Sequence, residues 1–349
     1  MRYILLSILL TLAVTSAAQN TNTAKLTLTV AFYNVENLFD ITDDQSSAGD
    51  DEYLPASAKA WDKIKYEKKL KDIGGTLGSI NETELPGLIG LAEVENKKVL
   101  EDLVKEPALR KGKYEIVHFD SPDERGIDVA LLVRPDEFTV TESRAIPVTF
   151  TFSPTDKTRD ILYVTGSADD GMIYHIYVNH WPSRSGDAIQ SEMRRMTAAA
   201  ALRKDIDNIL RTDVDARIII MGDFNDEPTN RSLMQILNAT NKRTNTTTGD
   251  LYNLMYDQHN LDNKGTLTYQ GQWDMFDQII VSWPLLKKSG SYYTDFEGGS
   301  VYMPENLLFT NPDNGFKSPN RTFGGNEYFG GVSDHLPVFV VLKKDETVK

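Results

Sequence analysis

Stretches of apolar, β-prone residues recur along this chain, and each has polar residues able to bind metal or phosphate at one end. The four runs that finish in such polar residues are 26–36, 88–95, 173–181 and 217–226. In 273–282 the polar group opens the run, and Asp334 and His335 stand just before the apolar run 338–342. Polar groups placed repeatedly at strand ends predict one shared site at the rim of a sheet.

Each motif also has an ordinary structural explanation when it is taken alone. Asp334 and His335 fit a capped surface turn, and the segment around Asp223 fits a turn rich in Asp and Asn. If Asp223 and Asn225 are in extended geometry, however, they point the same way because they are two residues apart. A carboxylate and an amide so placed can hold a water and a phosphate oxygen together.

The segments between these runs complete the outline of a folded domain. Residues 61–80 and 187–210 have the apolar spacing of helices that pack on a sheet. The acidic segment 40–59 fits no calcium-loop pattern, so we expect a solvated surface loop beside the site. Residues 283–331 show little periodicity and are expected to form one wall of a cleft.

In chain order the motifs resemble those of a known superfamily. The ordered set is Asn34, Glu93, His180, Asp223, Asn225, Asp277 and Ser333-Asp334-His335. It is similar to that of the endonuclease/exonuclease/phosphatase superfamily, which includes deoxyribonuclease I, exonuclease III, inositol polyphosphate 5-phosphatases and bacterial sphingomyelinases. The resemblance runs from about Leu26 to Leu342. It implies an α/β, deoxyribonuclease I-like fold: a four-layered α/β sandwich with two packed, mainly antiparallel β-sheets flanked by helices.

The resemblance also implies a divalent cation. Glu93, Asn34 and Asp334 supply the hard oxygen ligands that suit Mg²⁺ or Mn²⁺, with Ca²⁺ as a further candidate. The absence of Cys and the scarcity of His disfavour zinc. Glu36, two residues after Asn34, is a candidate second ligand or outer-shell group.

The catalytic roles follow from the same resemblance. His335 is expected to be the general base or to orient it, with Asp277 fixing its tautomer. Asp223 competes for the role of activating the water. Asn225 and His180 are expected to contact the scissile phosphate and to stabilise charge in the transition state.

Three further residues are assigned more indirectly. In deoxyribonuclease-like members an acidic residue at the place of Asp128 bonds the first catalytic histidine, which makes Asp128 the expected partner of His180. From the residues alone, Asp128 is a strand-entry carboxylate with no special role. Arg184 and Arg321 are candidates for contact with the substrate phosphate, and Arg321 also fits a plain surface arginine.

The N-terminus has the pattern of an export signal. Residues 1–18 contain one Arg, a short apolar run and small residues before Gln19, which predicts a Sec signal peptide cleaved after Ala18. About a dozen apolar residues are too few to span a bilayer. The chain has no cysteine for lipid attachment or disulfides. Because the motif residues are spread over the whole chain, we expect one domain, residues 19–349. We expect a periplasmic or secreted bacterial protein without a stable membrane anchor or evident protein partner, and a monomer.

The charge and the motifs together define the functional hypotheses. A formal net charge of −14 argues against a simple electrostatic nucleic-acid binder, although it does not exclude a nuclease with local basic residues. The leading hypothesis is an exported metal-dependent phosphodiesterase, an endonuclease or exonuclease that hydrolyses DNA or RNA. The alternative is a phosphatase or phospholipase C-type hydrolase that acts on inositol phosphates or sphingomyelin. A noncatalytic binding module is a third hypothesis.

The lipid alternative would require an exposed aromatic hairpin. The only aromatic cluster that fits is Tyr292, Tyr293 and Phe296, and we interpret it first as core or loop packing.

Overall fold

A computed structural model describes residues 26–45, 49–244 and 249–344. The predicted signal peptide lies outside the described residues. The first ten strands are β1 (Thr27–Leu38), β2 (Leu88–Val94), β3 (Glu115–His118), β4 (Asp128–Val133), β5 (Phe138–Ile146), β6 (Ile161–Ala168), β7 (Ile173–His180), β8 (Arg217–Asp223), β9 (Ala239–Thr240) and β10 (Leu251–Asn253). The other ten are β11 (Leu267–Tyr269), β12 (Gln272–Asp274), β13 (Asp277–Ser282), β14 (Tyr292–Tyr293), β15 (Gly299–Val301), β16 (Leu308–Thr310), β17 (Lys317–Pro319), β18 (Phe323–Gly324), β19 (Glu327–Tyr328) and β20 (Val338–Lys344).

The helices are fewer and lie between or after these strands. The α-helices are α1 (Lys63–Gly78), α2 (Lys97–Leu103), α3 (Ala188–Leu210) and α4 (Tyr256–Asn260). A π-helix covers Ser232–Leu237, and short 3₁₀ helices cover Asp51–Tyr53, Arg110–Gly112, Trp283–Leu286 and Glu305–Leu307. No helix in the described ranges has both the length and the apolar character needed to cross a membrane.

Two seven-stranded sheets form the centre of the molecule. Sheet A has the order β14-β20-β1-β2-β4-β3, with β15 also paired to β20. Sheet B has the order β5-β6-β7-β8-β13-β10-β9. The pairs β1–β2, β7–β8 and β9–β10 are parallel, and the remaining pairs in both sheets are antiparallel. The predicted sandwich of mainly antiparallel sheets is therefore confirmed.

The alternation of side chains along the strands builds the layers. In β1, Val30 and Phe32 belong to the core between the sheets, while Ala31 and Tyr33 belong to a second core under the helices. Strands buried on both faces read as continuous apolar runs, as this one does. The same alternation in β8 divides its isoleucines between the central core and a third cluster.

The two long helices cover the outer faces of the sheets. Helix α1 buries Leu70 and Ile73 against sheet A, and α3 buries Leu202 and Ile206 against sheet B. Both helices begin at an aspartate whose side chain accepts a backbone N–H in the first turn. The predicted helices 61–80 and 187–210 are confirmed, with starts shifted to 63 and 188.

Strand direction brings the polar strand ends to one edge. Because β1 and β2 are parallel, as are β7 and β8, the carboxyl ends of each pair lie side by side. Strands β13 and β20 run antiparallel to their neighbours, so their first residues lie at that same edge.

Candidate active site

The pairing within sheet B aligns three buried polar side chains. His180 ends β7 and is paired with Asp223 at the end of β8, and Asp223 is paired with Asp277 at the start of β13. Nε2 of His180 lies 3.5 Å from Oδ2 of Asp223. Neighbouring strands lie about 4.8 Å apart, so the register alone places the three groups in a row.

His335 extends this row from the other sheet. Its Nδ1 lies 2.6 Å from Oδ2 of Asp277, and its Nε2 is 3.8 Å from Oδ2 of Asp223. The Ser333 hydroxyl accepts the backbone N–H of His335 at 3.0 Å and donates to the carbonyl of Asn34 at 2.7 Å. The loop that carries His335 is therefore tied to the end of β1.

The environment shifts the pKa values within this cluster. Burial alone would lower the pKa of His335, but the carboxylates of Asp277 and Asp223 raise it well above its usual value. Burial raises the pKa of Asp223 to about 6, although the charge of His335 opposes this shift. Burial lowers the pKa of His180 well below its usual value. These shifts favour the charged form of His335 and the neutral form of His180 at neutral pH.

Two asparagines hold the carboxylate of Asp223. Nδ2 of Asn34 donates to its Oδ2 at 3.0 Å, and the backbone N–H of Asn225 donates to its Oδ1 at 2.9 Å. Asn225 has a φ of 50°, and its Nδ2 donates to the carbonyl of Trp181 at 2.9 Å. Residues 223–225 therefore do not have the extended geometry that would point both side chains the same way, because the backbone turns into the left-handed region at Asn225.

Glu93 lies beside this row at the end of β2. It has a φ of 63°, at a register shift between β2 and β4 that turns its side chain toward the site. Its Oε2 accepts the backbone N–H of Asn37 at 3.0 Å, and the Arg125 guanidinium lies 3.4 Å from Oε1 and 3.2 Å from Oε2. Burial would raise the pKa of Glu93, but Arg125 and His335 hold it below its usual value.

The expected bond between Asp128 and His180 is wrong. The Asp128 carboxylate contacts Nε2 of His118 at 3.0 Å and accepts the backbone N–H of Ser121 at 2.8 Å. Nδ1 of His180 is buried and has no hydrogen-bond partner in the described part of the chain. Asp128 opens β4 and His118 ends the neighbouring strand β3, so the carboxylate bonds the histidine beside it in sheet A.

The two arginines predicted to contact phosphate both adjoin the site. Arg184 donates to the carbonyl of Asn225 at 3.0 Å, and its guanidinium lies 4.4 Å from the centre of the Phe276 ring. Arg321 donates to Oδ2 of Asp334 at 3.0 Å and is half exposed. Their contact with a phosphate group stays a prediction.

Glu36 faces the backbone of a neighbouring loop. Its Oε2 accepts the N–H of Thr322 at 2.7 Å, and its Oε1 accepts the N–H of Phe323 at 3.2 Å. The buried Lys69 donates to the Thr322 hydroxyl and to the carbonyl of Val332. Burial raises the pKa of Glu36 to about 6 and lowers that of Lys69 to about 8. These contacts give Glu36 a structural role, and its role as a second ligand or outer-shell group stays a prediction.

Replacing Glu36 by Ala is expected to lower the free energy of unfolding by about 3 kcal/mol, since it leaves two buried amides and a buried ammonium group without their acceptor or counter-charge. Urea unfolding of the variant measures this loss. Replacing the exposed Glu67 of α1 by Ala is the matched control and should change stability by less than about 0.5 kcal/mol. An equal, small effect of both substitutions would contradict the structural role.

The chemistry of the cluster fits a divalent cation. Glu93 offers a carboxylate, and Asn34 and Asp334 offer an amide and a second carboxylate on the adjoining strand end and loop. Oδ1 of the buried Asp277 has no hydrogen-bond partner among the described residues. Asp223, Asp277 and His335 can each place one ligand atom within 4.8 Å of the others. The carboxylate and amide oxygens are hard donors of the kind that bind Mg²⁺ or Mn²⁺, whereas the imidazole of His335 is not.

Several residues at the site were not predicted. Arg125 pairs with Glu93, Arg159 donates to the carbonyls of His180 and Trp181, and Lys69 is buried. A local signal existed only for Lys69, which lies on the α1 face whose apolar spacing predicted burial.

The acidic segment and the aromatic cluster were also interpreted from the sequence. The acidic segment 40–59 is not uniformly solvated, since Asp50 is 2% exposed. The interpretation of the aromatic cluster as packing is confirmed: Tyr292 is buried, and the Phe296 ring lies 5.0 Å from that of Tyr252.

The fold and the site agree with the comparisons to known proteins. A family model described as the endonuclease/exonuclease/phosphatase family matches residues 29–344, so this chain belongs to that family of phosphoester hydrolases. No curated protein sequence gives a significant match.

Similar solved structures share the architecture at low sequence identity. An endonuclease/exonuclease/phosphatase family protein from Bacteroides thetaiotaomicron is 18% identical, with a TM-score of 0.56, over 91% of this chain and 98% of that one. D. rerio TDP2 complexed with a single-strand DNA product is 14% identical (TM-score 0.54, 91% and 99% coverage). A mannosyl-6-phosphatase from B. thetaiotaomicron is 17% identical (TM-score 0.53, 90% and 99% coverage). Such likenesses establish the fold alone.

Proposed function

We propose that this protein is an exported, Mg²⁺- or Mn²⁺-dependent phosphodiesterase that hydrolyses DNA or RNA by in-line attack of water. The observation that carries the proposal is the row His180, Asp223, Asp277 and His335, which places a carboxylate between two imidazoles. Such a row can take a proton from water on one side and stabilise phosphoryl charge on the other. Export rests on the N-terminal signal pattern.

In this mechanism Asp223 is the general base. Its Oδ2 receives the N–H of Asn34, and its pKa of about 6 leaves it ionised but basic at neutral pH. Asp277 holds the imidazolium of His335, whose Nε2 proton then faces the site and stabilises negative charge on the phosphoryl oxygens.

The neutral His180 has a different task. Its Nε2 lies 3.5 Å from Asp223 and 3.9 Å from Oε1 of Glu93, and the Arg159 guanidinium fixes the backbone carbonyl of His180. As a neutral donor it contacts the scissile phosphate without adding charge. A divalent cation held by Glu93, Asn34 and Asp334 would neutralise charge on the phosphoryl group.

A second candidate is a phosphatase for small phosphate esters, and one observation favours it. A cavity of about 590 Å³ next to Arg125 in the chain is lined by seven carboxylates, and Lys157 is the only cationic side chain among the described residues that line it. The lining carboxylates are Asp44, Asp50, Glu95, Asp120, Asp123, Glu124 and Asp128. This surface repels a long polyanion more strongly than a single small phosphate ester.

Hydrolysis assays with purified protein distinguish these functions. The substrates are duplex DNA, single-stranded DNA, RNA, inositol polyphosphate, sphingomyelin and a sugar phosphate, each with Mg²⁺, Mn²⁺, Ca²⁺ or EDTA. We expect cleavage of nucleic acid with Mg²⁺ or Mn²⁺, and a loss of at least about a thousandfold in EDTA, because the cation supplies several kcal/mol of charge stabilisation. His335→Ala is the inactive control.

The other outcomes each support a different function. Turnover of small esters alone would replace the nuclease proposal with the phosphatase, and sphingomyelin cleavage would indicate the lipase. Binding without turnover of any substrate would indicate the noncatalytic module.

A further inference from the structure

The loop after β1 carries a group of carboxylates outside the row that defines the active site. Asp43, Asp50 and Asp51 can each place one oxygen so that the three oxygens lie within 4.8 Å of one another. Ca²⁺ binds oxygens at about 2.3–2.6 Å, so two ligands on opposite sides of one ion are about 5 Å apart. The spacing therefore suits a single ion.

Asp50, the central residue of this group, is buried. Only 2% of this residue is exposed, although an isolated carboxylate is costly to bury. Its Oδ2 accepts the backbone N–H of Asp44 at 2.7 Å, but its Oδ1 is buried and has no hydrogen-bond partner in the ranges that the structure describes. A bound cation would satisfy such an oxygen.

The carboxylates of Asp43, Asp50 and Asp51 have no ion-pair partner among the lysines and arginines that the structure describes. The next acidic residue, Glu52, by contrast pairs with Lys59 at 3.2 Å. Asp50 also lines the acidic cavity described above. Like charges this close repel one another unless an ion of opposite charge lies between them.

We propose that Asp43, Asp50 and Asp51 bind a Ca²⁺ ion that is separate from the catalytic cation. Asp43 and Asp51 are exposed, so water can complete the six to eight oxygen ligands that Ca²⁺ takes in irregular geometry. Mg²⁺ is the poorer match, because it demands near-ideal octahedral geometry and gives up its water reluctantly.

The ion would also support the active site. Gly49, next to Asp50, packs on the backbone of Arg125 so closely that a Cβ there would lie 2.2 Å from the Arg125 carbonyl. Arg125 in turn contacts both oxygens of Glu93. An ion that immobilises Asp50 would also immobilise Gly49, on which the backbone of Arg125 packs.

Calcium titration of the purified protein tests the proposal. We use Glu93→Gln as the background, so that the catalytic cation site is impaired, and measure Ca²⁺ binding by calorimetry and Tb³⁺ binding by luminescence. The expected result is one Ca²⁺ site in this background. Adding Asp50→Asn should weaken its affinity at least tenfold, because Asn keeps the shape but loses the charge. Adding the exposed Asp51→Asn should also weaken binding, and this variant does not disturb the core.

Glu124→Gln is the matched control, since Glu124 is an exposed acid of the same cavity outside the trio. It should bind Ca²⁺ as the background does. Ca²⁺ should also raise the Tm of the background protein and of the control, but not that of Asp50→Asn. Unchanged Ca²⁺ affinity in both Asp50→Asn and Asp51→Asn, or the absence of any Ca²⁺ site in the background, would overturn the proposal.

Discussion

Replacing Glu93 by Gln is expected to lower turnover by at least about a thousandfold while leaving the fold intact. The carboxylate is the anionic ligand of the proposed catalytic cation, and its neutral isostere removes about 4 kcal/mol of charge stabilisation, at about 1.4 kcal/mol for each factor of ten. The apparent affinity for Mg²⁺ should fall as well.

Steady-state kinetics at several Mg²⁺ concentrations measure both effects. The matched control is Glu95→Gln, two residues further along, whose carboxylate accepts the backbone N–H of Asp40 and lies outside the row. If Glu93→Gln kept more than a tenth of the wild-type turnover, Glu93 would not hold the catalytic cation.

Replacing Asp277 by Asn should lower turnover by about 10³- to 10⁴-fold. Asp277 is fully buried and holds Nδ1 of His335 at 2.6 Å. An amide at this place presents either a neutral acceptor or an N–H, so the imidazole loses the counter-charge and the fixed tautomer that the mechanism requires. The exposed Asp313→Asn is the control for this substitution.

The same variant has a predictable pH dependence of stability. The pKa of His335 is raised in the folded protein, so this interaction stabilises the fold fully below the unfolded histidine pKa of about 6.5. The contribution is lost as the pH rises through the raised pKa of the folded state. The difference in unfolding free energy between wild type and Asp277→Asn should therefore be larger at pH 6 than at pH 10. Urea unfolding at the two pH values measures it, and a difference that grows with pH would contradict the charged pair.

The periodic parts of the structure could be predicted from the sequence. Continuous apolar runs such as 218–221 indicate strands buried on both faces, and the polar residues at their ends lie at one edge because of strand direction. The two long helices follow from their apolar spacing.

The positions of the other side chains at the site could not be predicted, because they depend on backbone irregularities and on contacts between distant segments. The register of β1 and β2 shifts after Asn34, and Glu36 there has a φ of 50°, so counting residues in an extended strand misplaces its side chain. The hydrogen-bond partner of Asp128 is His118 because β3 pairs with β4, and this pairing was not predicted from the sequence. Arg125 reaches Glu93 through a turn 32 residues away, which no local pattern indicates.

Four residues that bear on the site hold left-handed backbone conformations without being glycine: Glu36, Asn37, Glu93 and Asn225. Each such conformation costs about 1–3 kcal/mol, somewhat less for asparagine. Glycine would relieve this cost at Asn37, Glu93 and Asn225 and remove the side chain at the same time, whereas at Glu36 it would also remove the acceptor of two buried amides. Variants selected for heat resistance alone would therefore favour glycine at Asn37, Glu93 and Asn225, and the most stable variants would be the least active.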